Sequence, residues 1–277
     1  MKLKKKKLTG STLVFLLLIL GAIISIFPVF WALSTSLKST SQVFSDPLGW
    51  IPHPFEWSNY VHVWTVEPFG RYIFNTFFVS IVTALGQMLF GALGAYAFAR
   101  MKFVGKNVIF GMYLSTMMVP PVVTMIPLFI LMKHLGWINT YYALIAPTVL
   151  GTPLGIFLLR QFFLTIPIEL EEAARIDGAS VMRIFWRIIL PMTKPALTTL
   201  GLISFVMTWN NFIWPVIVIN SDRYKVLTLA VAGFQTQYGS EWNYLMVVVL
   251  LTTIPLLIIF ILFQRYIING IQLSASK

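Results

Sequence analysis

A cluster of charged side chains interrupts an otherwise apolar sequence. The segment ELEEAARIDGASVMRIFWRIILP, from Glu169 to Pro191, holds seven charged residues within nineteen positions. Four of the nine acidic residues of the chain lie in it: Glu169, Glu171, Glu172 and Asp177. An anionic lipid surface attracts basic rather than acidic side chains. The cluster therefore favours a docking surface for another protein. A hairpin that only floats among the lipid headgroups is the alternative.

Local signals predict two short helices in this segment. Pro167 fits a first helical turn, and the glutamates complement the partial positive charge of a helix N-terminus. Asp177-Gly178 predicts the end of the first helix, because glycine accepts the positive φ of a C-cap. Ser180 can cap a second helix. One side of the first helix is mostly small and apolar, with Leu170, Ala173, Ala174 and Asp177 at i, i+3, i+4 and i+7. The second helix has an apolar stripe of Val181, Ile184, Phe185 and Ile188. Pro191 and Pro195 end the second helix.

The elements on either side of this segment are apolar runs. The chain has 277 residues, of which 58% are hydrophobic and 10% charged, and a soluble domain of this length cannot bury so much apolar surface. A run of about 20 apolar residues crosses a hydrocarbon layer roughly 30 Å thick. We expect an all-α membrane protein with six spans and a helix-turn-helix loop (165–195) between the fourth and the fifth. The predicted spans are 13–33, 72–98, 108–132, 142–164, 196–219 and 244–268, forming one domain (13–268) between a basic N-terminus (1–12) and a C-terminal tail (269–277).

The distribution of lysine and arginine predicts the orientation. With both termini in the cytoplasm, fifteen of the twenty basic residues fall in cytoplasmic segments, as the positive-inside rule expects. The other five lie outside: Lys38, Arg71, Lys133, Arg223 and Lys225. The net charge of +11 is thus explained by topology and not by nucleic-acid binding. Loop 165–195 faces the cytoplasm in this arrangement.

The first apolar run could instead be a cleaved signal peptide. It has about 20 residues, longer than the 7–15 of a signal core, which favours an uncleaved span. The sequence contains no cysteine, so it has no disulfide or thiolate metal site. Its three histidines, His53, His62 and His134, are too scattered to predict a metal cluster.

The sequence lacks the motifs by which a membrane protein would itself use ATP or an ion gradient. A phosphate-binding loop needs Gly, four residues, then Gly-Lys-Ser/Thr. At Gly105-Lys106, Arg100 stands in place of the first glycine and Asn107 in place of the hydroxyl residue. The span interiors contain no Asp, Glu, Lys or His for an ion relay, and Arg100 and Arg160 are expected to snorkel to the membrane surface. We therefore expect the energy to come from another subunit.

Polar residues within the predicted spans are candidates for a solute pathway. Trp209, Asn210 and Asn211 interrupt the fifth span, where amides need a cavity or a neighbouring helix as partner. Asparagine amides can bond sugar hydroxyls, and indole rings suit the C–H faces of sugars. Further candidates are Asn75, Gln87 and Thr152. The alternative is that these residues only tie helices together or line a subunit contact.

Proline and tryptophan mark two further regions. Pro120, Pro121 and Pro127 predict a kink in the third span, either a gate or a packing feature. The long loop 34–71 contains three tryptophans, Trp50, Trp57 and Trp64. They fit an aromatic belt at the membrane surface.

The charged segment also resembles a known signature. It contains Glu172-Ala173-Ala174, then Gly178 after three residues, Ile188 after nine more and Leu190-Pro191 after one more. This spacing is similar to the EAA motif of the permease subunits of bacterial ABC importers. Further segments resemble the six-span, maltose-type permeases of carbohydrate uptake: PLFILMKHLGWINTYYALIAP (127–147), FLLRQFFLTIPIELEEAARIDGAS (157–180), WNNFIWP (209–215) and FQRYIINGI (263–271). The resemblance covers nearly the whole chain and is weakest in the first span and the outer loops.

The resemblance implies a role for the charged segment. Its first helix would be a coupling helix that docks on an ATPase subunit, with Glu172 holding the docking register, Gly178 making the bend, and Ala173 and Ala174 allowing close approach. The full set of coupling residues implied is Glu171, Glu172, Ala173, Ala174, Asp177, Gly178, Ile188, Leu190 and Pro191. Closure of two ATPases would rock the spans between inward- and outward-facing states. The polar loops 34–71 and 233–244 would face a sugar-binding protein.

Together these inferences predict a non-enzymatic permease subunit in a bacterial cell membrane. It would import a sugar delivered by an extracytoplasmic binding protein and pair with a second, related permease and two ATPases. The chain itself would bind no cofactor, ATP and magnesium being used by the ATPase. Three alternatives remain: an importer for glycerol phosphate or a polyol, an ATP-independent channel or carrier, and an intramembrane enzyme.

Overall fold

The computed structural model describes the backbone of residues 3–275 and the side chains of residues 12–264. All regular secondary structure in that backbone is helical. The α-helices are α1 Leu3–Ser36, α2 Thr40–Ser45, α3 Ser58–Val66, α4 Phe69–Arg100, α5 Lys106–Ser115, α6 Pro121–His134, α7 Tyr141–Val149, α8 Pro153–Leu164, α9 Glu169–Ile176, α10 Val181–Ile184, α11 Leu190–Met192, α12 Lys194–Trp209, α13 Ile213–Val218, α14 Leu227–Gln237 and α15 Trp242–Ala275. A 3₁₀ turn (Thr116–Met118) follows α5, and a π-helical turn (Phe185–Ile189) joins α10 to α11. The side chains of the predicted N-terminus (apart from Thr12) and C-terminal tail lie outside the described residues.

Four helical segments are long and apolar enough to cross a membrane singly: Thr12–Ser36, Phe69–Arg100, Tyr141–Leu164 and Trp242–Gln264. Two bent pairs also qualify by length and composition. Lys106–Met118 and Pro121–His134 meet at 102°, and Val181–Met192 and Lys194–Trp209 meet at 78°. By length and composition, the described part of the chain therefore has four candidate spans, or up to six if each bent pair is one span.

Three of the predicted spans are interrupted. The break predicted in the third lies at Val119-Pro120, where proline removes a helical donor, whereas Pro127 sits inside α6. The fourth breaks between α7 and α8 around Gly151, whose φ is +106°. Within the predicted span 196–219, the chain leaves the helix at Asn210 and re-enters it only at Ile213.

The chain forms two compact units, one of Met1–Pro68 with Val231–Pro255 and one of Phe69–Ala230 with Leu256–Lys277. In the first unit, the buried Asn59 amide donates to the carbonyls of Ser36 (2.8 Å) and Lys38 (2.9 Å). Asn243 in turn donates to Asn59 Oδ1 at 3.3 Å. These bonds hold the start of the long loop in place. Two of its tryptophans, Trp57 and Trp64, are more than half exposed.

The second unit is built around α4, which packs against α7, α8 and α12. Glycines allow the close approach, as in other membrane helix pairs. A Cβ on Gly86 would lie 2.2 Å from Val149 Cγ2, and one on Gly151 would lie 3.4 Å from the Gly91 backbone. The contact of α4 with the α7–α8 break therefore depends on the absence of side chains.

Candidate functional site

The charged hairpin (residues 165–195) has the two helices that the sequence predicts, with the predicted turn chemistry. Helix α9 begins at Glu169, two residues after Pro167. It ends in a Schellman motif, since Gly178 N donates to Arg175 O at 3.0 Å and Ala179 N to Ala174 O at 2.9 Å. Gly178 has a φ of +78°. Ser180 caps the second helix by accepting from Arg183 N at 3.4 Å.

The second helix of the hairpin is packed into the bundle. Ile184, Phe185 and Ile189 are fully buried in one cluster with Leu159 and Phe163 of α8. Of the other residues singled out in the sequence, Ile188 and Leu190 pack against the same cluster, and Pro191 is exposed. This anchoring argues against a hairpin that only floats among headgroups.

A π-helical turn lies where the hairpin meets the next span. The N–H of Leu190 donates to Phe185 O, five residues back. Pro191 has no N–H with which to continue the α-helical ladder, so the wider turn precedes it. This turn was not predicted from the sequence, in which Pro191 is the signal that could have indicated it. π-turns are frequent at functional sites.

The acidic side chains of α9 divide between an outer and an inner face. Glu172, Ala173, Asp177 and Gly178 are exposed, and Ala174 is half-buried. The neighbouring Ile176 is 87% exposed. The outer face of α9 is thus small, acidic and partly apolar, a composition suited to contact with a protein.

Glu171 is the exception, because it is fully buried. Its Oε1 lies 2.9 Å from Arg100 Nε, in an ion pair whose N–H is not aligned for a hydrogen bond. Its Oε2 accepts from the Tyr96 hydroxyl at 3.1 Å and lies 3.7 Å from the more exposed Arg175 guanidinium. The resemblance placed Glu171 in the coupling set, but its side chain points away from the exposed face of α9 and into the bundle.

Arg100 also differs from the expectation that it snorkels to the membrane surface. Its side chain is only 8% exposed. Nη2 donates to Phe163 O in the last turn of α8 at 2.7 Å and to Ile166 O just after the helix. Arg100 turns inward because Glu171 and these carbonyls satisfy its charge. Arg160 behaves similarly, donating to Phe98 O at 3.1 Å and lying over the Phe110 ring.

A cavity of about 340 Å³ lies between the helices of the second unit. Three of the predicted pathway residues line it, namely Gln87 on α4, Thr152 at the α7–α8 break and Asn211 after α12. Four further polar residues also line it, none of which was singled out in the sequence: Thr124, Thr148, Ser204 and Thr208. The rest of the lining is apolar, and none of the described residues around the cavity is ionisable.

The other three predicted pathway residues lie elsewhere. Trp209 is buried and stacks on Phe205, with 5.6 Å between ring centroids. Asn210 is exposed and donates to Val206 O of its own helix at 2.9 Å. Asn75 is buried and donates to the carbonyls of Arg223 and Lys225 at 3.0 and 2.8 Å. For Asn75 the alternative role of tying elements together fits the contacts.

Comparisons with known proteins agree on one kind of protein. The family model described as binding-protein-dependent transport system inner membrane component matches residues 87–272. The chain is 35% identical over 266 residues to the sn-glycerol-3-phosphate transport system permease protein UgpE of Yersinia enterocolitica, covering 92% of this chain and 93% of the relative. It is 33% identical over 259 residues to the arabinooligosaccharides transport system permease protein AraQ of Halalkalibacterium halodurans, covering 92% of each.

A solved structure has the same fold. A crystal structure of a bacterial ABC transporter involved in the import of the acidic polysaccharide alginate contains a chain that matches with a TM-score of 0.80 at 24% identity. The match covers 96% of this chain and 99% of that one.

Proposed function

The chain belongs to the family of binding-protein-dependent transport system inner membrane components, and from this premise we propose that it forms half of the pathway of an ATP-driven importer for a sugar. The observation that carries the proposal is the uncharged polar lining of the cavity, made of amide and hydroxyl groups on an apolar wall. Such groups can exchange hydrogen bonds with the hydroxyls of a neutral solute. The apolar wall suits the C–H faces of its ring.

The solute is the least constrained part of this proposal. The glycerol phosphate permease among the relatives supports an anionic solute as the second candidate, whereas the arabinooligosaccharide permease supports a neutral one. An anion would need cationic groups in its path, and the described residues around the cavity supply none. A neutral sugar or oligosaccharide therefore fits this chain better.

Helix α9 would couple the permease to ATP hydrolysis on a separate subunit. Its exposed face, with Glu172, Ala173, Asp177 and Gly178, would dock on the ATPase. The buried second helix would hold the hairpin against the bundle. ATP and magnesium would bind the ATPase, and the permease would perform no chemistry on its solute.

The proposed assembly contains this chain, a second permease, two ATPase subunits and an extracytoplasmic binding protein. The chain would cross the inner membrane of a bacterium six times as one permease domain, each bent pair counting as one span. The bias of lysine and arginine supports cytoplasmic termini and a cytoplasmic charged hairpin.

Adjacent asparagines allow a matched test of the cavity. The complex and its binding protein would be reconstituted in liposomes, and uptake of arabinooligosaccharide and of glycerol 3-phosphate measured separately. Asn211→Ala, at the cavity, is expected to lower uptake of the transported solute about tenfold, as loss of one or two buried hydrogen bonds would. Asn210→Ala is the control, since Asn210 is absent from the cavity lining and bonds to its own helix.

The two solutes decide between the candidates. ATP-dependent uptake of the oligosaccharide alone supports the proposal, and uptake of glycerol 3-phosphate alone replaces it with the second candidate. Uptake without ATP would contradict an importer of either kind.

A further inference from the structure

A buried ionic contact joins the charged hairpin to two helices of the cavity. Glu171 of α9 is fully buried and lies 2.9 Å from Arg100 Nε at the end of α4. The same guanidinium donates to Phe163 O and Ile166 O at the end of α8, and Tyr96 of α4 donates to Glu171. We call this set of Tyr96, Arg100 and Glu171 the polar lock.

The lock lies at the C-terminal ends of α4 and α8, and each helix reaches the cavity nearer its N-terminus. Gln87, on the cavity wall, lies on the same helix as Arg100 and about 20 Å from it along the axis. Helix α8 begins beside the cavity at Thr152 and Leu154 and ends at the carbonyls that Arg100 binds. A displacement of α9 would therefore act on both helices through one guanidinium.

The ion pair of the lock is better suited to fixing the position of α9 than to stabilising the fold. Desolvating two charges is costly, and an apolar pair of similar volume often stabilises a fold as well or better. A planar guanidinium, in contrast, fixes direction, because Nη2 donates to two carbonyls while Nε on the same rigid plane lies against the Glu171 carboxylate. The surrounding core of Phe163, Ile184 and Phe185 already holds the hairpin in place.

We propose that Tyr96, Arg100 and Glu171 are positioning residues that transmit movement of α9 to the cavity helices, so that their loss separates ATP hydrolysis from movement of the cavity. This inference rests on the proposed function, in which α9 docks on an ATPase. It assigns to Glu171 an internal role distinct from that of its exposed neighbour Glu172.

The absence of cysteine from the chain allows a direct readout that needs no known solute. Leu154→Cys would place one thiol at the cavity end of α8. The complex of permeases and ATPases, reconstituted in nanodiscs, would be treated with a water-soluble maleimide, without nucleotide and after trapping with ATP and vanadate. The alkylation rate of this chain reports exposure of the cavity, and ATP hydrolysis is measured on the same samples.

Two variants separate positioning from folding. Glu171→Gln keeps the shape and removes the charge, and the double variant Arg100→Met with Glu171→Met replaces the ion pair by apolar packing. We expect both complexes to retain their ATPase and hydrolyse ATP, and the nucleotide-dependent change in alkylation rate to fall about tenfold. Arg160→Met is the matched control, since Arg160 also binds a backbone carbonyl but does not touch α9.

The outcomes distinguish this inference from the function on which it rests. If the unaltered complex shows no nucleotide-dependent alkylation or retains no ATPase, the proposed function fails. If the unaltered complex responds and the double methionine variant responds equally, the polar lock is refuted. A loss of response in Arg160→Met equal to that in the lock variants would also refute it. Removal of an arginine that does not pair with Glu171 would then have the same effect on the cavity.

Discussion

The Ser204 hydroxyl donates a hydrogen bond of 2.6 Å to Gln87 Oε1 and so ties α12 to α4 beside the cavity. Both side chains are buried and both line the cavity wall. In hydrocarbon, each polar group needs such a partner. The bond therefore fixes the orientation of the one amide that α4 presents to the proposed solute path.

Replacement of Ser204 by alanine tests this bond. We expect Ser204→Ala to lower the free energy of unfolding by about 1 kcal/mol, because Gln87 loses a buried partner, and to slow solute uptake by the reconstituted complex. Thermal unfolding in detergent and the uptake assay measure the two effects. Ser115→Ala is the control, since the Ser115 hydroxyl bonds only to Met112 O of its own helix. Equal effects of the two variants would contradict the role given to Ser204.

Two glycines with open space around them should respond to alanine in opposite directions. A Cβ on Gly178 or on Gly111 would meet nothing within 4 Å. Gly178, however, has a φ of +78°, so Gly178→Ala is expected to destabilise the hairpin by about 1 kcal/mol and weaken ATPase binding. Gly111 lies within α5, where alanine should stabilise by up to about 1 kcal/mol. Affinity for the ATPase and thermal stability are the measurements, and a stabilising Gly178→Ala would refute the account of the turn.

Gly86 tests the close packing of α4 against the α7–α8 break. Gly86→Ala would place a methyl group 2.2 Å from Val149 Cγ2 and 2.8 Å from Val149 O. We expect a loss of roughly 1–3 kcal/mol of stability from overpacking. Adding Val149→Ala should recover only part of this loss, because the carbonyl contact remains. Thermal unfolding of the single and double variants would show this, and full recovery would indicate that the backbones are not in close contact.

The features that the sequence predicted well are those with a local cause. The Gly178 turn and the Ser180 cap each depend on neighbouring residues. The apolar stripe of the second helix indicated its buried face, and Ile184 and Phe185 are fully buried. The break at Pro120 also has a local cause, a missing donor.

The features that the sequence missed depend on distant contacts. Hydropathy runs unbroken around Gly151, and the polar pair Asn210-Asn211 fits a continuous helix as well as a broken one, so neither break could be read from the sequence. Glu171 and Glu172 are identical in type and adjacent, and only the position of Arg100 in the fold decides which one is buried. Ser204 and Thr148 likewise line the same cavity but lie on separate helices. No spacing in the sequence could therefore indicate that they are neighbours.

The central claim is that the exposed face of α9 docks on an ATPase subunit, and charge reversal at one residue tests it most directly. The tagged chain would be extracted in mild detergent and its co-purifying proteins identified by mass, for the unaltered chain and for Glu172→Lys and Lys102→Glu. Both side chains are exposed, and both changes reverse one charge, but Lys102 lies in the loop between α4 and α5 and outside the proposed docking face. The account predicts that an ATPase and a second permease co-purify with the unaltered chain and with Lys102→Glu, and that Glu172→Lys retains the permease and loses the ATPase. Recovery of the ATPase with Glu172→Lys at the level of the unaltered chain would contradict it.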